Sequence, residues 1–460
     1  MKKRIKMIKS INPATDEEIK VYKEMSEQEV SGIIDGSYKS FLNWKEKSFS
    51  ERAGKMKKAA SLLKDRKENL SKLMTLEMGK PIKQSRSEIE KCASACEFFA
   101  ENAESFLKDE VIKTDALKSF VAFEPLGVIL AIMPWNFPFW QVFRFAAPNL
   151  MAGNAGILKH SSNVTGCALA IEEIFKEAGF PEGLFRTLII SSKKIEGIIK
   201  NKFVQAVTLT GSVPAGRAVA AAAGSMLKKS VLELGGSDPY VILEDADLEK
   251  AAETCVSSRL INSGQSCIAA KRFIAVEKIY GDFEKLYIEK MKQKKMGDPL
   301  EETVEVGPQA RADLRNELHE QVLKSISKGA KAVLGGNIPD RKGAFYFPTI
   351  LSNVSPGMPA YQEELFGPVA SLIKAKNEDE AIRIANDTAF GLGAAVYTSD
   401  IERGEMIAKK KLDAGNCFIN DFVRSDSRLP FGGIKESGYG RELSYFGIRE
   451  FVNIKTVYRG

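Results

Sequence analysis

The sequence predicts an α/β protein with two parallel-sheet units. From residue 119 onward, short β-rich runs alternate with segments of helical periodicity, the order that buries a parallel sheet between layers of helices. A second alternating set follows the first, which gives a second unit. A chain of 460 residues, 44% hydrophobic and 28% charged, is long enough for two or three domains and too apolar for disorder.

Residues 26–106 read as helices. Glu51 to Leu70 carries apolar residues at helical spacing among lysines and arginines, and the run Leu73 to Pro81 ends a helix with Gly79 and then proline. Ser119–Phe123 and Gly127–Met133 read as strands, Ala155–Lys159 as a short buried strand, and Val164–Ala178 as a helix stopped by Gly179. Strands follow at Thr187–Ile190, Ala206–Thr210 and Val231–Leu234. The second set has helices around Ala251–Arg259 and Asp313–Lys328, with strands around Phe273–Val276, Ala332–Leu334, Val369–Lys374 and Ala394–Tyr397.

Composition excludes several functions. The net charge of +7 is spread over dispersed lysines without aromatic interleaving, so a small anionic ligand is expected and nucleic acid is not. Gly127–Met133, the longest apolar stretch, falls short of the roughly 20 residues of a membrane span. The basic start Met1-Lys2-Lys3-Arg4-Ile5-Lys6 is followed by Asn12 and Asp16 rather than an apolar segment, so no export signal or membrane partner is expected. The cysteines at 92, 96, 167, 255, 267 and 417 have neither zinc-site spacing nor disulfide density, which predicts a cytoplasmic protein without a metal. Only His160 and His319 could serve as imidazole bases, so proton transfer falls to carboxylates or water.

The chemistry centres on Cys267, in Asn262-Ser263-Gly264-Gln265-Ser266-Cys267-Ile268. Alone, a cysteine among small polar residues is either a loop filler or a thiol presented to a ligand. Its companions decide: Leu232-Glu233-Leu234-Gly235-Gly236, Pro134-Trp135-Asn136-Phe137-Pro138 and Glu364-Leu365-Phe366-Gly367-Pro368. With the Asn12-Pro13 opening and the segments Pro430-Phe431-Gly432-Gly433 and Ser437-Gly438-Tyr439-Gly440-Arg441-Glu442, the chain resembles the aldehyde dehydrogenase superfamily over nearly its whole length.

The resemblance implies a Rossmann-like cofactor domain (1–106 and 126–235), a catalytic domain (236–445) and a small β oligomerisation flap (107–125 and 446–460) that builds a homodimer or homotetramer. It implies Cys267 as nucleophile towards a small-molecule aldehyde, and the Asn136 amide with the Cys267 N–H as oxyanion donors. Glu233 is implied as the base that hydrolyses the thioester, and burial in its apolar run would raise its pKa. Gly211 and Ser212, at a strand-to-helix turn, fall at the dinucleotide pyrophosphate. Glu364 and Phe366 fall beside the nicotinamide half, and Trp135 is a further cofactor contact.

Lys159 and Ser162 bear on the choice of cofactor. Many NAD-preferring relatives carry glutamate where Ser162 stands, and a hydroxyl beside a lysine accommodates a 2′-phosphate, so NADP is favoured and NAD remains usable. His160 replaces a common proline and reads as structural. Arg144, on the apolar stretch Phe139–Phe145, either pairs with a glutamate or clamps a substrate carboxylate. The second reading resembles the short bacterial succinate-semialdehyde dehydrogenases, with Ser425 and Phe431 as further substrate contacts. Ile261 stands where some of these have a second arginine, and Phe145 where a lysine is common. The alternatives are a broad aliphatic-aldehyde dehydrogenase, with Arg144 in a structural ion pair, and a non-catalytic binding protein on the same fold.

Overall fold

The computed structural model describes residues 7–460. The basic start Met1–Lys6 lies outside them. An antiparallel hairpin, Met7–Asn12 against Glu17–Lys23, opens the described chain and has no counterpart in the sequence reading. Helices Glu27–Trp44, Phe49–Asp65, Lys67–Met78 and Ile82–Phe106 follow. Ser26 with Glu29 and Ser48 with Glu51 form reciprocal caps on the first two, satisfying N–H groups that would otherwise be orphaned, for about 1 kcal/mol each. The single periodic run expected over Glu51–Leu70 is broken at Arg66 (φ −102°, ψ 11°). With that break, Leu70 and Met74 of one helix enter the same core as Met56 and Leu63 of the other.

That core covers a six-stranded sheet in the order Gly438–Tyr439, Lys229–Glu233, Val204–Thr210, Val128–Met133, Ala155–His160, Phe185–Thr187. All pairings are parallel except that of the first strand. The strand expected at Thr187–Ile190 is instead Phe185–Thr187, because the Ile190 N–H turns back to Leu188 O at 3.1 Å. From Val128–Met133 the chain steps outward one way to Ala155–His160, and later returns on the other side as Val204–Thr210. In an open α/β sheet, ligands bind outside the carboxyl ends of the strands at such a reversal. Those ends lead here into Trp135-Asn136 and into Gly211-Ser212.

A seven-stranded sheet forms the second unit, in the order Lys331–Leu334, Thr349–Ser352, Val369–Ala375, Arg272–Val276, Pro239–Ile242, Gly393–Tyr397, Asn416–Ile419. It is parallel apart from its first edge strand and has its own core around Tyr240, Phe273, Tyr287 and Tyr397. A three-stranded antiparallel sheet joins Val452–Arg459 to Lys118–Pro125 and Glu110–Val111. The stretch 431–445, expected with the second unit, lies partly in the first. Phe431 and Leu443 pack in the first core, and Gly438–Tyr439 pairs with Leu232 and Glu233, because this segment closes the open edge of the first sheet.

Candidate active site

Cys267 sits in a loop with unusual backbone geometry. Asn262, Ser263 and Gly264 have φ of 52°, 56° and 78°, and a left-handed non-glycine residue costs about 1–2 kcal/mol. Surrounding contacts hold this turn: Asn262 Nδ2 donates to Asn136 O at 2.7 Å, the Asn262 N–H to Gln84 Oε1 at 2.7 Å, and the Gly307 N–H to Ser263 Oγ at 2.8 Å. Gly264 is required twice over, by its φ and because a Cβ there would lie 2.1 Å from Gly367 O. The turn aims Gln265 O at Asn136, whose Nδ2 donates to it at 3.0 Å while its Oδ1 accepts from Gln141 Nε2 at 3.1 Å. Asn136 is thereby oriented beside the Cys267 loop. A side chain at Gly236 would lie 2.7 Å from Cys267 O, so the Glu233–Gly236 run also closes on the cysteine.

The segment carrying Asn136 is pinned from two sides. Glu88 Oε1 accepts the Phe139 and Trp140 N–H groups, both at 2.9 Å, at the start of helix Trp140–Ala152, where a negative charge is favoured. Glu88 is itself ion-paired with the buried Lys80. On the other side, the buried His160 ring lies between two carbonyls, Nε2 2.9 Å from Pro138 O and Nδ1 3.1 Å from Met133 O, and so ties the segment to the end of its strand. Burial brings His160 down to about 4, so it stays neutral and structural.

Burial pushes the Cys267 thiol up to about 12; Lys271 and Arg144 oppose this, and Glu364 and Glu233 add to it. Lys271, fully buried, donates to Ser266 O at 2.9 Å and Cys267 O at 2.6 Å. Glu233 ends its strand 2% exposed, with neither carboxylate oxygen hydrogen-bonded among the described residues. Burial, and next the Glu442 charge, hold it well above the usual carboxylate range, while Arg144 and Arg441 pull the other way. A buried carboxylate without partners is a group prepared to take a proton.

Arg144 meets its anion inside the protein. Its Nε is ion-paired with Glu442, an NH2 donates to Thr210 Oγ1 at 3.3 Å, and the guanidinium lies 4.8 Å from the Phe431 ring centroid. This is the glutamate pairing of the sequence alternatives, although Arg144 also lines the cavity in front of Cys267. The apolar wall of that cavity, of about 420 Å³, includes Phe137, Trp140, Ile268, Phe422 and Phe431. Ser425, expected at the substrate, lines it too and accepts from Lys91 Nζ at 2.8 Å and Trp140 Nε1 at 3.1 Å.

The strand reversal carries the residues assigned to a cofactor. Ser212 caps helix Val213–Ser225 without a side-chain bond to it, leaving its hydroxyl and the first N–H groups open, while the Gly211 N–H holds Glu233 O at 3.0 Å. Lys159, half-buried, has no acidic partner among the described residues, and burial lowers its pKa. Ser162, three residues on, is exposed. Glu364 accepts from the Gly236 N–H at 3.0 Å and lies 3.4 Å from Lys271 Nζ, while Phe366 packs edge-on to Trp135 at 5.7 Å. An open helix N-terminus and a half-buried cation lacking a counter-ion fit a phosphate-bearing dinucleotide.

The model of the aldehyde dehydrogenase family matches residues 1–457. The chain belongs to this family. A probable succinate-semialdehyde dehydrogenase [NADP(+)] from Synechocystis is 49% identical over 98% of this chain and 99% of its own length. The succinate semialdehyde dehydrogenase [NAD(P)+] Sad of Escherichia coli is 45% identical over 98% and 97%. The crystal structure of succinic semialdehyde dehydrogenase from Streptococcus pyogenes, in complex with NADP+, superposes with a TM-score of 0.96 at 36% identity, covering 98% of this chain and 99% of that one. As an aldehyde dehydrogenase the chain is an enzyme, which rules against the binding-protein alternative.

Three residues at this aldehyde dehydrogenase site went unread in the sequence. Glu442 was quoted only as part of a motif, and its partner lies 298 positions away in the chain. Lys271 stood in the run that follows Cys267 and was given no role. Lys91 did carry a signal: Gln84, Ser87, Glu88 and Lys91 recur at helical spacing, and all four line the cavity.

Proposed function

We propose that this aldehyde dehydrogenase oxidises succinic semialdehyde, or a similar carboxy-aldehyde, to the acid, with NADP preferred and NAD usable. The observation that carries the reading is the cationic lining of a largely apolar cavity ending at Cys267: Lys91, Arg144 and Arg424 line it, the two arginines paired with Glu442 and Asp421, while its acidic lining residue, Glu88, is paired with Lys80. The names borne by the Synechocystis, E. coli and S. pyogenes relatives support the same substrate.

In this reading the Cys267 thiolate adds to the aldehyde carbon, and the resulting oxyanion is met by the Asn136 amide and the Cys267 N–H. Lys159, Ser162, Gly211, Ser212, Glu364, Phe366 and Trp135 hold the dinucleotide, which when bound supplies the hydride acceptor. Cys267 then carries a thioester. Glu233 takes a proton from water, the hydroxide attacks the thioester carbonyl, and collapse expels the Cys267 thiolate and the acid. The absence of a carboxylate at Ser162 supports NADP.

The second reading, a broad aliphatic-aldehyde dehydrogenase, draws support from the Arg144–Glu442 pair. Steady-state kcat/KM with succinic semialdehyde and butanal, each with NADP and NAD, separates the two. At least a tenfold preference for the carboxy-aldehyde is expected, on the order of one unmet charge. Equal values would leave the broad reading.

The division into a cofactor unit (1–106 and 126–235), a catalytic unit from 236 and a flap is part of the proposal. A homodimer or homotetramer is supported by the exposed Ile454 and Tyr458 on the edge strand Val452–Arg459. Six free thiols suit a cytoplasmic setting, and among the described residues no helix is long and apolar enough to cross a membrane.

A further inference from the structure

The substrate cavity contains a cation that the roles above leave without a counter-ion. Lys91, on helix Ile82–Phe106, forms no ion pair among the described residues; its Nζ lies 4.2 Å from the Trp140 ring centroid and 2.8 Å from Ser425 Oγ. The other two cavity cations are satisfied by protein carboxylates, Arg144 by Glu442 and Arg424 by Asp421 at 2.7 Å.

Ser425 shows where an anion would sit. Its buried Oγ accepts from both Lys91 Nζ and Trp140 Nε1, so its own hydrogen is left to donate, and it donates to no protein atom among the described residues. The two remaining N–H groups of the ammonium and the Ser425 hydroxyl, which the indole N–H holds in place, therefore point donors at one wall of the cavity. A carboxylate has two oxygens and about four acceptor positions, which matches that donor set. Burial and the Arg144 charge bring Lys91 down to about 8, with Cys92, Glu88 and Asp426 pulling upward. A carboxylate seated beside it would restore its full charge.

We propose that Lys91 is the specificity-determining cation of this enzyme, binding the substrate carboxylate together with Ser425 while Arg144 stays paired with Glu442. The proposal rests on the carboxy-aldehyde reading above. A neutral aldehyde of the same length would leave the ammonium desolvated and unpaired, which is what turns a binding contact into discrimination.

The test is steady-state kinetics with NADP on native enzyme, Lys91→Met and Lys91→Arg, using succinic semialdehyde and butanal. For Lys91→Met the expected loss of kcat/KM with succinic semialdehyde exceeds the loss with butanal by on the order of 100-fold, carried mainly by KM. Lys91→Arg should recover most of that preference, because a cation is restored. Equal losses on both substrates in Lys91→Met would assign the lysine a structural role and overturn the proposal. A preference that survives Lys91→Met intact would also overturn it and return the carboxylate to Arg144, leaving the substrate reading standing. Native enzyme with no preference between the two aldehydes would overturn the substrate reading and the Lys91 proposal with it.

Discussion

Arg144 and Glu442 form an ion pair with side chains only 3% and 6% exposed, beside the unpartnered Glu233 carboxylate. The pair brings both signs of charge to the carboxylate proposed as the base. Arg144 favours ionised Glu233 and Glu442 disfavours it, so their effects oppose and burial decides the outcome. Truncating one partner strands the other. Arg144→Ala is expected to lower unfolding free energy by about 3–5 kcal/mol, whereas Arg144→Met combined with Glu442→Gln should lose less, because both desolvated charges are gone. Urea unfolding of the three proteins checks this, and a double variant as weak as the single would count against the pair.

Glu233 should matter for the second half of the reaction and little for the first. Glu233→Gln is expected to release about one reduced cofactor per subunit in a rapid burst, and then to turn over 10²- to 10⁴-fold more slowly than native, about the usual worth of a general base. Stopped-flow absorbance reads both phases. A slowed turnover without a burst would place Glu233 before the thioester instead.

The cofactor-free thiol should respond to alkali. A Cys267 pKa raised to about 12 means that the group is protonated across the neutral range, and that the reactive thiolate fraction grows about tenfold per pH unit until the pKa is reached. The rate of Cys267 alkylation by iodoacetamide, followed by peptide mass spectrometry, should therefore still be climbing at pH 10. A plateau at neutral pH would show that Lys271 and Arg144 outweigh burial.

Cofactor choice should turn on one side chain. Ser162→Glu places a carboxylate near Lys159, where it would repel a 2′-phosphate and accept from a 2′-hydroxyl. The expected result is a fall in kcat/KM with NADP of about 100-fold, several times more than with NAD. Equal losses with both cofactors would mean that position 162 does not face the adenosine ribose.

The motifs around Cys267, Glu233, Asn136 and Glu364 were legible because each joins an unusual residue to glycines or prolines that only a few backbone shapes accept. The alternation of strands and helices was legible for a similar reason, since period and punctuation are local. The break at Arg66 was not, because both flanking segments have helical periodicity and only the shared core distinguishes one helix from two. The hairpin Met7–Lys23 was missed because its strands are largely exposed and show little apolar alternation.

By itself, then, the sequence determined the α/β class and the family, each through motifs whose residues are close together in the chain. Only the tertiary structure decided which charge answers which. Arg144 finds Glu442 from 298 positions away, and Lys91 finds Ser425 from 334. Electrostatic pairing depends on distance in space and on burial, and neither is encoded in the spacing along a chain.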